Sequence, residues 1–314
     1  MISNKLMNIA ITGSSGNLGS LIVQNMPTTS LTCIDIKMPK YELPSNANFL
    51  NYNTSDKKLS QVLKSLKINT VIHSAFTVTP IKDHQRRRTL VNDLLGTKRL
   101  FESALNAGVN HIVYISSTLA YGANINNKIE FKESDTLQAK PNFYYAFRKK
   151  LVEEEICLPF MENHSDLILT ILRLSGVLGP NIHNYVTEIL KWRILPFIYE
   201  GRNTKIQWLH ENDFIQAVIK SVNLMKKGVF NITPNTADSF LEQRKYIPRK
   251  SILVPEKISR LMGKLMWDLN ISSVPPSYLD FVRYQFTASN KKAREELKFS
   301  PKYTTKEALL SIYN

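Results

Sequence analysis

Residues 8–20 read NIAITGSSGNLGS: an apolar, β-branched run, then Gly13, Gly16 and Gly19 spaced three apart, then the start of a helical pattern. Few folds accept that order. The first glycine permits a tight strand-to-helix turn, the second removes a Cβ where backbone meets a pyrophosphate, and the third lets the helix pack close to the sheet. The helix N-terminus adds positive potential at the same point, and Ser15, Asn17 and Leu18 complete a loop suited to phosphates. Asp35 ends the next strand-like run, LTCIDI, where a carboxylate accepts both hydroxyls of a ribose and repels a 2′-phosphate. NAD is therefore expected over NADP, with Lys37 and Lys40 close enough to soften the preference.

The alternation continues through the first two-thirds of the chain. Short runs rich in Ile and Val (NIAIT, LTCIDI, ANFLNY, TVIHSAF, HIVYIS, LILTILRL) are separated by amphipathic stretches such as 83–107 and 143–157, long enough to cross over a sheet. This predicts an α/β fold with a Rossmann-like, doubly wound parallel sheet. After Arg173 the pattern loosens through SGVLGP, a helix-like stretch near 184–194 and the loop EGRNT, before a strand IQWLH, a helix over 211–225 and a last strand GVFNIT. A dinucleotide-binding domain is expected over 1–174, with the chain returning to it at about 206–232. Residues 175–205 and 233–314 are expected to form a smaller, mostly helical substrate-binding region over the ligand edge of the sheet.

A chain of 314 residues with 43% hydrophobic content can bury a sizeable core. It has no run of eighteen or more apolar residues, and its apolar start is too short for a signal peptide, so a cytoplasmic protein without a membrane span is expected. Cys33 and Cys157 lack metal-ligand spacing, and neither a disulfide nor a metal site is predicted. The net charge of +15 is spread along the chain with no basic tail. Nucleic acid is therefore not the expected partner, and Arg86-Arg87-Arg88 reads as a solvated helix face.

In FYYAFRKK, residues 143–150, Tyr145 and Lys149 stand one helical turn apart on one face. Tyr144 has Arg148 four residues on, a permanently charged fork and a different kind of partner. The glycine loop, Asp35, HSAF, VNDLLGTKRLFESA, YISSTLAYG, PNFYYAFRKKLVEEE, RLSGVLGP, QWLHENDFIQAV, GVFNIT and KKAREELKFSPKYTTKEAL follow one another in order. With these parts the chain resembles the extended short-chain dehydrogenase/reductase family, which includes NAD-dependent epimerases and dehydratases of sugar nucleotides. The resemblance covers nearly the whole chain. It implies that Tyr145 gives or takes the proton at a substrate hydroxyl, that Lys149 acidifies the phenol and binds the nicotinamide ribose, and that Ser117 holds the reacting oxygen. It also implies cofactor contacts from Ser74, Ala75 and Phe76 at the end of the fourth strand, from Asn92, and from Asn53 toward adenine. Thr118 and Tyr144 are placed beside the substrate, strand alternation turns Ser116 away from it, and His73 is read as structural. A homodimer through helices 83–107 and 143–163 is a further expectation of the resemblance.

Two departures weaken the nucleotide-sugar reading. The arginine that grips a diphosphate in sugar-nucleotide epimerases is replaced at its register by Ile206, flanked by Lys205 and Gln207, which leaves Arg202 or Lys205 as differently aimed substitutes. Arg173 is followed by Leu174, where the family often has proline. The aromatic stretch HNYVTEILKWRILPFIYEG suits a stacked uracil or an enclosed steroid-like alcohol, and 257–270 is a basic amphipathic helix read as a cap on the cleft rather than a membrane contact. The leading expectation is epimerisation or dehydration of a sugar nucleotide. The alternative is net oxidation or reduction of an apolar hydroxy or keto compound, as in 3β-hydroxysteroid dehydrogenases. A non-catalytic protein sensing dinucleotide or binding nucleic acid has only the charge in its favour, and leaves Tyr145, Lys149 and Ser117 without a task.

Overall fold

The computed structural model describes residues 7–27, 30–199, 204–269, 271–272 and 274–314. Six strands come first: β1 (Asn8–Thr12), β2 (Ser30–Asp35), β3 (Ala47–Asn51), β4 (Thr70–His73), β5 (His111–Ser117) and β6 (Ile168–Leu174). Four short strands follow outside their sheet: β7 (Gly176–Leu178), β8 (Ile194–Tyr199), β9 (Lys205–Ile206) and β10 (Trp208–His210). Then β11 (Gly228–Ile232) rejoins it, giving a seven-stranded sheet in the order β11-β6-β5-β4-β1-β2-β3 with every neighbour parallel. The order reverses between β1 and β4. The loops leaving these two strands must diverge there, which opens a crevice at their carboxyl ends.

Strand side chains alternate between two cores. Ile9 and Ile11 enter one and Ala10 the other; Val113 and Ile115 enter the first, Ile112 and Tyr114 the second. Helix α1 (Asn17–Asn25) packs on the first face, and α2 (Leu59–Ser65), α3 (Asp83–Ala107), α4 (Tyr144–Val152) and α5 (Leu158–Asn163) cover the second. The helix expected over 143–157 continues to Asn163, with a π-helical turn over Glu153–Cys157 joining α4 to α5. That turn carries Glu153 into the interior, where it meets Ser116 and pairs with Arg173 at 2.8 Å.

Beyond β6 come α6 (Tyr185–Leu190) and α7 (Glu211–Leu224), the latter packing beside α1. The predicted strand IQWLH does not join the central sheet. Its two halves separate, β9 pairing antiparallel with β12 (Asp238–Ser239) and β10 pairing parallel with β7. Gln207 lies between them, and its side-chain amide both accepts from the Ala288 N–H at 2.9 Å and donates to the Ala288 carbonyl at 3.2 Å. A side chain thus occupies the place of a ladder partner and breaks the strand. Next come α8 (Phe240–Tyr246), β13 (Lys250–Pro255), which pairs with β8, and α9 (Glu256–Asp268). The end of the chain departs from the expected cover of the ligand edge: Ala293, Leu297 and Phe299 pack with Phe230 and α7 in the first core.

Candidate active site

The crevice between β1 and β4 continues into a cavity of about 1170 Å³. Gly13 takes φ +74°, and a Cβ there would lie 2.5 Å from the Ala75 backbone; a Cβ at Gly19 would lie 2.0 Å from the Gly13 carbonyl oxygen. The loop after β1 is therefore pressed against both the β4 loop and its own helix, at distances only glycine permits. No side chain caps the N-terminus of α1, so its first N–H groups are left toward the crevice. The Asp35 carboxylate accepts from the N–H of Ser15 and of Lys37, each at 3.0 Å, which fixes a negative group at the far end of the loop. The glycine loop, Asp35, Asn53, residues 74–76 and Asn92 all line the cavity. A closely packed phosphate cradle followed by a carboxylate fits a dinucleotide.

Tyr145 and Lys149 rise from α4 toward the end of β5, where the Ser117 hydroxyl lies beside the phenol, donating to the Leu174 carbonyl at 3.3 Å and accepting from the Leu119 N–H at 3.2 Å. All three line the cavity. Burial pushes the Tyr145 phenol up to about 12, opposed by the Arg148 cation and the Ser117 hydroxyl. The charge arrangement differs from the expected one: the cation bearing on the phenol is Arg148, itself paired with Asp93 and donating to the Thr77 carbonyl at 2.6 Å. Lys149 donates instead to the Ile115 carbonyl at 2.7 Å and lies 3.7 Å from the centre of the Phe76 ring. Burial lowers Lys149 from its ordinary value of 10.5 to about 7, with Asp93 partly opposing.

This depression has a defined sign in stability. Between pH 7 and 10.5 the unfolded chain holds a proton on Lys149 that the folded chain has lost, so stability rises with pH across that window. Lys149→Met should flatten the rise, its gain over the parent being largest below pH 7 and vanishing above 10.5. Urea denaturation of the cofactor-free pair across this range reads the difference, and parallel pH profiles would refute the burial penalty.

Other expected positions fall elsewhere. The Ser116 hydroxyl is directed to Glu153, in keeping with strand alternation. Thr118 opens a 3-10 turn that folds its hydroxyl back to the Leu174 carbonyl, so it is buried away from the cavity rather than beside the substrate. Tyr144 is rotated off the cavity by the helix and donates to the Arg86 carbonyl at 2.6 Å. Lys205 is exposed on β9 and does not line the cavity, and Arg202 lies outside the described residues. His73 is structural, held between the Thr12 and Thr97 hydroxyls and pushed down to about 3 by burial.

Residues 9–233 match the NAD dependent epimerase/dehydratase family. The chain belongs to that family. Among its relatives is an uncharacterized protein of Mycobacterium tuberculosis, 25% identical over 96% of this chain and 81% of that one. The 3 beta-hydroxysteroid dehydrogenase/Delta 5-->4-isomerase of Vaccinia virus is 24% identical over 54% of this chain and 52% of its own. In fold the chain is similar to UDP-glucuronic acid 4-epimerase from Bacillus cereus, solved in complex with NAD, with a TM-score of 0.75, 20% identity and coverage of 98% and 97% of the two chains.

The remainder of the cavity in this epimerase/dehydratase-family chain is largely apolar, with Asn184, Gln207, Ser259 and Ser272 among its uncharged polar residues. Among the described residues lining it, the charged side chains are Asp35 and Lys37 at the carboxylate end, with Asp93 and Lys149 beside Tyr145. Outward from Tyr145 the walls are residues such as Ile189, Phe197, Ile206, Met266 and Val282. Tyr185 and Tyr278, 5.4 Å apart between ring centres, also line the cavity. Sequence reasoning missed Tyr278, which lies in a proline-flanked segment with no motif. It also missed the Glu153–Arg173 pair, for which a glutamate one turn beyond Lys149 was the only signal.

Proposed function

We propose that the chain is an NAD-dependent oxidoreductase acting on a secondary alcohol or ketone of a largely apolar substrate, at a site built from Tyr145, Lys149 and Ser117. One observation carries the substrate class: no cationic side chain lines the outer cavity among the described residues, and Ile206 occupies the register where a diphosphate clamp is expected. A diphosphate brought there would lose its hydration with no counter-charge to replace it. The nucleotide-sugar reading is the second one, favoured by the full-length likeness in fold to UDP-glucuronic acid 4-epimerase.

The bound nicotinamide supplies or accepts the hydride. Tyr145, a phenol at neutral pH, donates its proton to the substrate oxygen in the reducing direction and takes it back in the oxidising one. Ser117, beside the phenol, turns its hydroxyl from the Leu174 carbonyl to the substrate oxygen. Arg148 supplies the charge that makes the phenolate more accessible, while Lys149, held on the Ile115 carbonyl, lines the cavity beside it. The apolar walls exclude water from the oxygen on which charge develops.

The test is a substrate panel. Hydroxysteroids and long-chain secondary alcohols should give NADH absorbance with NAD and much less with NADP, because Asp35 repels a 2′-phosphate. UDP-sugars should give neither reduced cofactor nor an epimerised sugar by chromatography. Conversion of a UDP-sugar alone, with dinucleotide retained through purification, would establish the second reading and overturn the first.

A further inference from the structure

The apolar cavity opens between α9, β13 and β8, and its mouth is apolar on the outside as well as within. Trp192, Ile194, Ile252 and Met262 line the cavity yet are 44–54% exposed. The helix extends this surface outward. At 100° per residue, Ser259, Met262, Gly263 and Met266 face the cavity, while Ile258, Leu261, Leu265 and Leu269 form the adjoining stripe, 49–72% exposed. Lys257 and Lys264 occupy the remaining side, where Arg260 is paired with Glu256 and Asp280. Segments 191–194 and 249–269 together hold seven Lys and Arg against two acidic residues.

An apolar stripe continuous with a cavity mouth and flanked by cations has the character of an interfacial helix. A second copy of the same face would bring like charges together, whereas an anionic bilayer satisfies both the leucines and the lysines. We propose that this face lies on an anionic lipid bilayer with α9 at headgroup level, and that the cavity takes its apolar substrate from the membrane. Contact is from one side, since no helix among the described residues is long and apolar enough to cross. The purpose of this docking rests on the apolar-substrate reading, but its test requires no turnover.

The full chain is sedimented with vesicles of phosphatidylcholine alone and of equal parts phosphatidylcholine and phosphatidylglycerol. Binding is expected to the anionic vesicles, weaker at high salt. Leu261→Glu combined with Leu265→Glu, at two positions that do not line the cavity, should lower the partition coefficient by about tenfold or more. Circular dichroism and NADH binding check that the variant remains folded. Failure of the parent to bind, or equal binding by the variant, overturns the proposal. So does a vesicle-free dimer, seen by sedimentation equilibrium, that the double variant dissociates, because a second copy would then cover the face. A monomer, or a dimer unaffected by the variant as expected for pairing through 83–107 and 143–163, supports it.

Discussion

Tyr145→Phe leaves NADH binding nearly unchanged and lowers turnover by about 10²–10⁴-fold, the range that a single positioned acid or base contributes. The ring is retained, so its edge contacts with Phe76 and Phe143 persist and the apolar wall is intact. What is lost is the hydroxyl beside Ser117 and its transferable proton. Tyr144→Phe is the internal control: its hydroxyl is committed to the Arg86 carbonyl, and removing it should alter turnover little. Steady-state rates with any substrate from the panel, alongside NADH titration, read both variants. Turnover surviving in the first would remove Tyr145 from the chemistry.

The second large effect is on stability. Arg173→Leu leaves Glu153, fully buried, without its counter-charge, and should destabilise the fold by about 3–5 kcal/mol. Arg173 also donates to the Tyr121 hydroxyl at 2.8 Å, which in turn donates to Asn231 at 2.9 Å, so the loss reaches β11. Adding Glu153→Gln removes the stranded charge and should recover part of the stability. Urea unfolding of the single and double variants measures the difference; a single variant as stable as its parent would mean that Glu153 finds another partner or takes up a proton at little cost.

The sheet and the cofactor crevice were legible in the sequence because their physics is local. Each β-branched run is a strand on its own terms, and Gly13 and Gly19 mark close backbone approaches that no other residue tolerates. Tyr145 and Lys149 were legible because their spacing is that of one helix face. Thr118 was misplaced because a turn, rather than strand alternation, decides where its hydroxyl goes. The broken strand at Gln207 depends on an amide pairing with Ala288, eighty-one residues away, which leaves no trace in local pattern. The electrostatics around Tyr145 were the least legible. A sequence gives the charges near the phenol, but not that Lys149 is drawn down to a backbone carbonyl while Arg148 supplies the nearer field.

The last stretch of the chain, lodged beside Phe230 and α7, means that a single cut cannot separate the central sheet and its helices from the rest of the chain. A fragment stopping at Leu174 would lose the β11 edge together with the helices that shelter it, baring Leu172 and its neighbours to water. Exchanging the segments outside the central sheet for those of a relative therefore calls for several splice points, placed so that the tail stays with the core it completes.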